Sequence, residues 1–565
     1  MRVALVRKFL LSPLAPNGLS TLLKYNLVLC LALFFLLEIW RPCFFLTDDN
    51  LASGLPMLTE MGRHLKHGQS PFVSDYIFGG NYDLLRDLSF VNWHPVYFFA
   101  SLLADTPGRF WILDLSSLLF MLLTVVGFTI LGSTLVREFN PGLPTVYLVF
   151  FTASYLFSSY ILNVTASWTN FLINQSALPW LALGILDRRL LRGSLLILLA
   201  SLHEIFGAYA AMTVSNGIFL TLLAVGLTVV RRSAIPVSSW IFGNVMAVLV
   251  SAPFLVQVLG GFTHSFRVAG MTLKESTANN IPAALYPFSF FCGNWTDLVG
   301  GWGGDAVVKS ADFPHLSVML ACGAAWCLLP ALFRPTKWRG IEMLLLFLMA
   351  LLVVWTVRPL ALARIMHGLP VLKSMRWPFR ECMQLLFFLH LFLLLRHPGS
   401  LKGWPPGIAV FGLLMFLLPL PFSRVPTLNP LFLDRKEVLS GNAGRFWTEV
   451  ETRLKPTDYI VTVIDPDLLK QEITKLPYSL LGTANFPAFY KLRCASGYSP
   501  TAPLKQRLLK TDPEFWFGAF GTDQVPELLR ERPDLKMITV DGVDPLRISL
   551  VARGQRIDLT PYIDR

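Results

Sequence analysis

The sequence predicts a polytopic α-helical membrane protein with a small α+β domain after its last span, and three observations predict it. Hydrophobic residues make up 54% of the 565-residue chain and charged residues only 15%, against about 25% in soluble proteins. Apolar runs long enough to cross a bilayer recur from Asn26 to Leu420, and short basic turns separate them. Beyond Pro421 the pattern changes to alternating apolar stretches with turn residues between them. The expected division is 1–423, a transmembrane domain of about 11 helices with a large first outer loop at 47–109, and 424–565, a soluble α+β domain.

The basic N-terminal stretch, Met1 to Lys24, has no small-residue cleavage site after a short apolar core, so the first span reads as a retained anchor. That span, 26–46, breaks into Thr47-Asp48-Asp49-Asn50. The loop behind it is too polar for membrane and too aromatic for a linker, with His64, Asp75, Tyr76, Tyr82, Trp93 and His94 among its residues. Spans follow at 110–135, 145–165 and up to Leu186, the last preceded by a polar piece holding Trp168, Thr169 and Asn170. Residues 193–230 read as two short helices meeting between His203-Glu204 and Asn216, because a single span cannot keep both charged ends on one side. Further spans are expected at 239–259, 315–333, 341–355, up to Leu395, and 408–420, with a second outer loop at 260–314.

Eleven crossings put the N-terminus inside and the C-terminal domain outside. The turns assigned inside carry Arg137, Arg188 to Arg192, Arg231 with Arg232, Arg334 to Arg339, and Arg396 with Lys402, as retention of positive charge requires. This placement accounts for the net charge of +12 without nucleic acid. Seven cysteines without CxxC spacing argue against a disulfide framework or a zinc site.

One segment breaks the charge rule. Arg358, Arg364, Lys373, Arg376 and Arg380 all fall outside, between the ninth and tenth spans, interleaved with Trp377-Pro378-Phe379. Guanidinium groups at the outer leaflet can clamp a phosphate or pyrophosphate with paired donors, which suits an anionic lipid carrier. The alternatives are snorkelling to ordinary headgroups and a count wrong by one crossing. Asp48 and Asp49, held at the membrane edge, stand where an enzyme acting on a lipid-linked substrate needs a base; the alternative is that they only end the helix. In the C-terminal domain, strands are expected over 458–464, 535–540 and 546–551 and helices over 443–454 and 524–531, with no nucleophile elbow, phosphate loop or metal cluster.

At these residues the chain resembles the YfhO-like bacterial membrane proteins, themselves similar to glycosyltransferases of the GT-C fold. The resemblance lies in Asp48-Asp49, in Leu55-Pro56 through His67-Gly68, in Phe78-Gly79-Gly80, in Leu369-Pro370 through Arg376-Trp377-Pro378-Phe379-Arg380, and in Asn485-Phe486 through Gly497-Tyr498-Ser499-Pro500. It implies transfer of a sugar from a polyprenyl-phosphate donor to an envelope glycan or lipid acceptor at the outer face. Carried onto this sequence, it makes Asp48 or Asp49 the catalytic base and gives Arg376 and Arg380 the donor phosphate, with Arg358 or Arg364 as further partners. Charge stabilisation by arginine can replace a metal. No certain cofactor follows, although Asp48 and Asp49 with a carboxylate from the second loop could bind a divalent cation such as Mg or Mn.

Trp93 and His94 are candidates for contact with a sugar, against a structural hydrogen bond for the histidine. His203 and Glu204, adjacent inside apolar sequence, are costly without a cavity or a partner. They are candidates for the acceptor path, against packing on Asn163, Asn174 or Gln175. Two other classes stand beside the transferase. One is a transporter or flippase of a lipid-linked saccharide, which calls for internal repeats or gapped helices; the other is a noncatalytic envelope assembly factor.

Overall fold

The computed structural model describes residues 18–47, 49–78, 80, 82–84, 93–104, 108–263, 272–273, 277, 338–369, 372–375, 378–396, 438–465, 467–468, 485–495, 519–543, 546–552 and 555–562. The spans expected at 315–333 and 408–420, Asp48, Arg376, Trp377 and nearly all of the second outer loop lie outside them.

Among the described residues, six helices are long and apolar enough to cross a membrane: α1 (Leu19–Trp40), α4 (Trp111–Phe139), α8 (Leu190–Gly207), α9 (Ala210–Arg231), α10 (Ile235–Phe262) and α11 (Gly340–Val357). Shorter helices lie between and beside them: α2 (Leu55–Lys66), α3 (Pro95–Leu103), α5 (Thr145–Leu156), α6 (Ser159–Ser167), α7 (Asn170–Leu186), α12 (Leu360–His367) and α13 (Cys382–Arg396). This is a multi-pass membrane architecture. Among these six helices α4 is the most buried, and it lies in the interior with the shorter α7 and α13, which are buried along nearly all of their length. Its 29 residues give it a length of about 43 Å. The peripheral helices turn side chains such as Ile39, Phe242, Leu249 and Phe347 outward, as a lipid-facing surface requires.

Side chains from elsewhere decide where several helices end. α1 stops at Trp40, short of the expected Leu46, because the Glu38 carboxylate accepts from the Cys43 N–H (2.8 Å) and the Phe44 N–H (3.2 Å). The expected span at 145–165 is divided between α5 and α6, and the Ser158 hydroxyl caps α6 by accepting from the Ile161 N–H. The pair expected over 193–230 consists of two full-length helices, α8 and α9, separated at Ala208 and Tyr209. Asn174 on α7 accepts from the Tyr209 N–H at 3.0 Å and so satisfies the backbone at that break. α7 and α8 meet where Gly193 lies against Gly184; a Cβ on Gly193 would come within 2.6 Å of the Gly184 carbonyl oxygen.

The bundle has two chemically distinct ends. At one, Glu138 pairs with Arg188 (3.0 Å) and Arg231 (3.4 Å), Glu342 with Arg396 (3.5 Å), and Asp187 with Arg192. The Arg339 guanidinium donates to the Phe139 carbonyl, so the described basic residues of the turns read as inside, among them Arg188, Arg231, Arg339 and Arg396, share one end. At the other end, Asp49, Trp168, Tyr209 and Arg380 come together, and the C-terminal part of the chain docks there.

That part contains helix α14 (Asn442–Thr452) and strands β3 (Tyr459–Ile464), β4 (Arg493–Cys494), β5 (Ala519–Gly521), β6 (Lys536–Val543), β7 (Leu546–Ala552) and β8 (Gln555–Asp558), after β1 (Val73–Ser74) and β2 (Tyr82–Asp83) of the first loop. β3 pairs in parallel with β6 on one side and with β4 and β5 on the other, while β6, β7 and β8 continue antiparallel. The strands expected at 458–464, 535–540 and 546–551 correspond to β3, β6 and β7 of this mixed sheet. It is joined to the first loop: Arg63 of α2 donates to the carbonyls of Ala488 (3.0 Å) and Phe489, Asn485 donates to Ser53 (3.1 Å), and the Cys494 N–H donates to the Tyr76 carbonyl.

Candidate functional site

Asp49 precedes a single π-helical turn, Asn50–Gly54, that leads into α2. Such turns are uncommon, and they recur at functional sites. Asn50 fixes the turn in place. Its amide donates to the carbonyls of Phe45 (2.9 Å), Thr165 (3.1 Å) and Ala166 (2.8 Å), and its oxygen accepts from the Thr169 N–H (3.0 Å). Thr47 adds a bond to the Ala166 carbonyl at 2.6 Å. The residues after the first span are thus stitched to the junction of α6 and α7, and this puts the Asp49 carboxylate 2.6 Å from the indole Nε1 of Trp168.

Arg380 occupies the other side of that indole. It lies in a short 3-10 turn before α13 and is 3% exposed. Its guanidinium carbon sits 4.3 Å from the centroid of the Trp168 ring, 4.6 Å from Tyr209 and 5.6 Å from Phe171, and it donates to the Tyr209 hydroxyl. Phe171 stacks between Trp168 (5.5 Å) and Tyr209 (4.9 Å). A desolvated cation on aromatic faces is worth about 2 kcal/mol, enough to hold Arg380 where water is scarce. One indole therefore carries a carboxylate at its edge and a guanidinium on its face.

The other outer arginines occupy different settings. Arg358 ends α11 in a left-handed conformation (φ 45°), is 2% exposed, and donates to the Met375 carbonyl at 2.9 Å. Burial lowers its pKa, and the nearby Glu381 opposes that shift. Burial pushes the Glu381 carboxyl up to about 7, with Arg358 and Arg380 pulling it down. Arg364 is exposed on α12 beside the exposed Leu360 and Ile365.

His94 and His203, far apart in sequence, meet at 2.8 Å between Nε2 and Nδ1. The Val96 N–H donates to His94 Nδ1 (3.2 Å), so the hydrogen of His94 is on Nε2 and points at His203. His203 then donates from Nε2 to the Ser176 hydroxyl (2.7 Å), which donates to the Ile173 carbonyl (2.9 Å). The chain of donors closes on the backbone. Burial holds the His94 pKa down at about 4, which keeps that ring neutral. Trp93 stacks on Phe72 at 4.3 Å and meets Phe254 edge-on. Glu204 accepts from Asn174 (3.1 Å) and Asn216, and Asn216 accepts from Gln384 (2.7 Å). The Glu204 carboxyl is thereby the hub of a polar cluster joining α7, α8, α9 and α13.

Two pairs of sequence candidates are brought together, Asp49 with Arg380 on one indole and His94 with His203 inside the bundle. Asn50, in the polar break after the first span, and Trp168, in the polar piece before the fourth, were visible in the sequence without a chemical role, and Phe171 and Tyr209 carried no signal beyond the ordinary aromatic content of the chain. Among the described residues no group of three or more histidine, cysteine, aspartate or glutamate side chains is arranged to hold a metal ion. Asp48 and the second-loop carboxylates named for such an ion lie outside them.

No family model matches the chain, and no curated protein does. Among solved structures it is similar to the arabinofuranosyltransferase AftD from mycobacteria, with a TM-score of 0.48 and 12% identity. The alignment covers 98% of this chain and 37% of that one, so this chain spans well under half the length of that protein.

Proposed function

We propose that this protein is a membrane glycosyltransferase of the GT-C type. In this reading it moves a sugar from a polyprenyl-phosphate donor to an envelope glycan or lipid at the periplasmic face of the inner membrane. The observation that carries the reading is the convergence of Asp49 and Arg380 on one indole, at the end of the bundle opposite the basic turns. A carboxylate beside a fixed cation, where spans end, suits proton abstraction next to a phosphate leaving group.

The acceptor hydroxyl oxygen attacks the anomeric carbon, its proton passes to Asp49, and the bond from that carbon to the phosphate oxygen breaks. The phosphate leaves with the electron pair, already anionic. Arg380 supplies fixed positive charge, and Arg364 and Arg376 are the outer cations proposed to meet the lipid phosphate. Arg358, tied to Met375 and facing Glu381, supports the turn that carries Arg380. Asp48 is the companion candidate for the base.

Native mass spectrometry of the gently purified protein tests the donor class, with a co-purifying polyprenyl-phosphate sugar as the expected result. Asp49→Asn is expected to lower transfer at least about a hundredfold while that lipid is retained. Full transfer by Asp49→Asn, by Asp48→Asn and by the double variant would remove the base from these residues. The buried Glu204 cluster favours a second reading, movement of a lipid-linked saccharide across the bilayer. That reading expects saccharide flipping in vesicles to survive Asp49→Asn and to fail in Glu204→Gln.

A further inference from the structure

We infer that Trp168 is the positioning residue of the proposed base: its indole N–H holds one oxygen of Asp49, and the Arg380 cation fixes the indole from its face. The inference rests on the reading of Asp49 as the group that takes the acceptor proton.

Three observations carry it. Trp168 Nε1 lies 2.6 Å from Asp49 Oδ2, a short, charge-assisted contact to a single carboxylate oxygen. Trp168 is 8% exposed, and its ring is fixed on several sides, by Arg380 at 4.3 Å, by Phe171 at 5.5 Å, and through the Asn50 and Thr47 bonds around its own backbone. The indole nitrogen is donor-only, so it cannot take the acceptor proton itself. Its part is to select the carboxylate rotamer and to favour the ionised form that a base needs before it acts.

The same contact explains why a buried arginine is stacked on rings here. Arg380 donates to Tyr209 and lies over Trp168, so the guanidinium, the indole and the carboxylate form a series in which each group orients the next. An indole N–H beside a cation is the better donor, and the series aims it at Asp49.

The test uses the full chain in detergent with a radiolabelled synthetic polyprenyl-phosphate-linked sugar, the sugar being the one found on the co-purified lipid. Trp168→Phe keeps a ring for Arg380 and removes the N–H. The expected result is a kcat lowered about tenfold to a hundredfold, a donor KM within about twofold, and an acid limb of the pH–rate profile moved up by about one pH unit. A second variant, with benzothienylalanine at position 168, replaces the N–H by sulfur at nearly constant shape, and the same changes are expected. An unshifted acid limb with an unchanged kcat in this variant overturns the inference, and so does a loss expressed wholly in KM. If Asp49→Asn is inactive while both Trp168 variants are fully active, the base reading stands and the positioning role falls. If Asp49→Asn is fully active, both fall together.

Discussion

Replacing Arg63 by methionine would loosen the C-terminal domain from the first loop, and the structure sets the size of the effect. Arg63 is 6% exposed and donates to the carbonyls of Ala488 and Phe489, at the C-terminal end of the four-residue helix α15 (Phe486–Phe489). Carbonyls at a helix end have no partner within the helix, so the guanidinium from α2 caps them across the seam. Methionine fills a similar volume and donates nothing. Two charged hydrogen bonds at the lower end of their range, about 1.5 kcal/mol each, amount to about 3 kcal/mol, or roughly a hundredfold in the docking equilibrium. Hydrogen exchange read by mass spectrometry measures this directly, because the Cys494 N–H donates across the same seam to the Tyr76 carbonyl. Exchange at Cys494 is expected to rise about a hundredfold in Arg63→Met and to stay unchanged in Lys66→Met, a control on the exposed side of α2. A rise of less than about threefold in Arg63→Met would refute the view that this side chain clamps the two parts together.

The same seam has a pH response. Burial pushes the Glu60 carboxyl from its usual 4.5 up to about 7, while Ser74 and the Asp75 N–H oppose that shift. The native state therefore binds a proton at Glu60 that the unfolded chain releases, and the contribution of this one group to stability falls as pH rises from about 4.5 to 7, by roughly 3 kcal/mol. Glu60→Gln keeps one acceptor oxygen, for the Asp75 N–H, turns its amide toward the Ser74 hydroxyl oxygen and does not ionise, so the thermal midpoint of the variant, relative to the natural chain, is expected to rise across that window. Glu381, raised to about 7 in the same way, adds a second fall over the same window, and His94, held at about 4, acts in the opposite sense between about 4 and 6.5; an unchanged slope in Glu60→Gln would remove Glu60 from the account. In the bundle, Glu204→Leu strands amide donors of Asn174 and Asn216 at about 1–3 kcal/mol each, whereas Glu204→Gln keeps an acceptor oxygen. Size-exclusion profiles of the purified variants should show loss of monodisperse protein for leucine and near-normal yield for glutamine. Equal behaviour of the two would mean that the carboxyl is not the hub of the cluster.

Much of the architecture was legible in the sequence, because apolar length and periodicity are local properties of the chain. The helices around 111–139, 235–262 and 340–357, and the strands at 459–464 and 546–552, lie within a few residues of their expected places for that reason. Arg380 was marked by standing on the wrong side of a charge rule, and Asp49 by standing at a membrane edge; both signals are also local. What only the tertiary structure decided is which side chains meet. That α1 ends at Trp40 depends on Glu38 turning back on the next residues, and the break at Ala208 and Tyr209 on Asn174 from a different helix. The pairing of His94 with His203 and the meeting of Asp49, Trp168 and Arg380 join stretches that are distant in the chain. A tryptophan at a membrane interface looks the same in sequence whether it faces lipid or holds a carboxylate. Packing the α6–α7 junction against the loop after the first span is what gives Trp168 its partner, and hydropathy and charge placement, which marked the expected spans, carry no information about that contact.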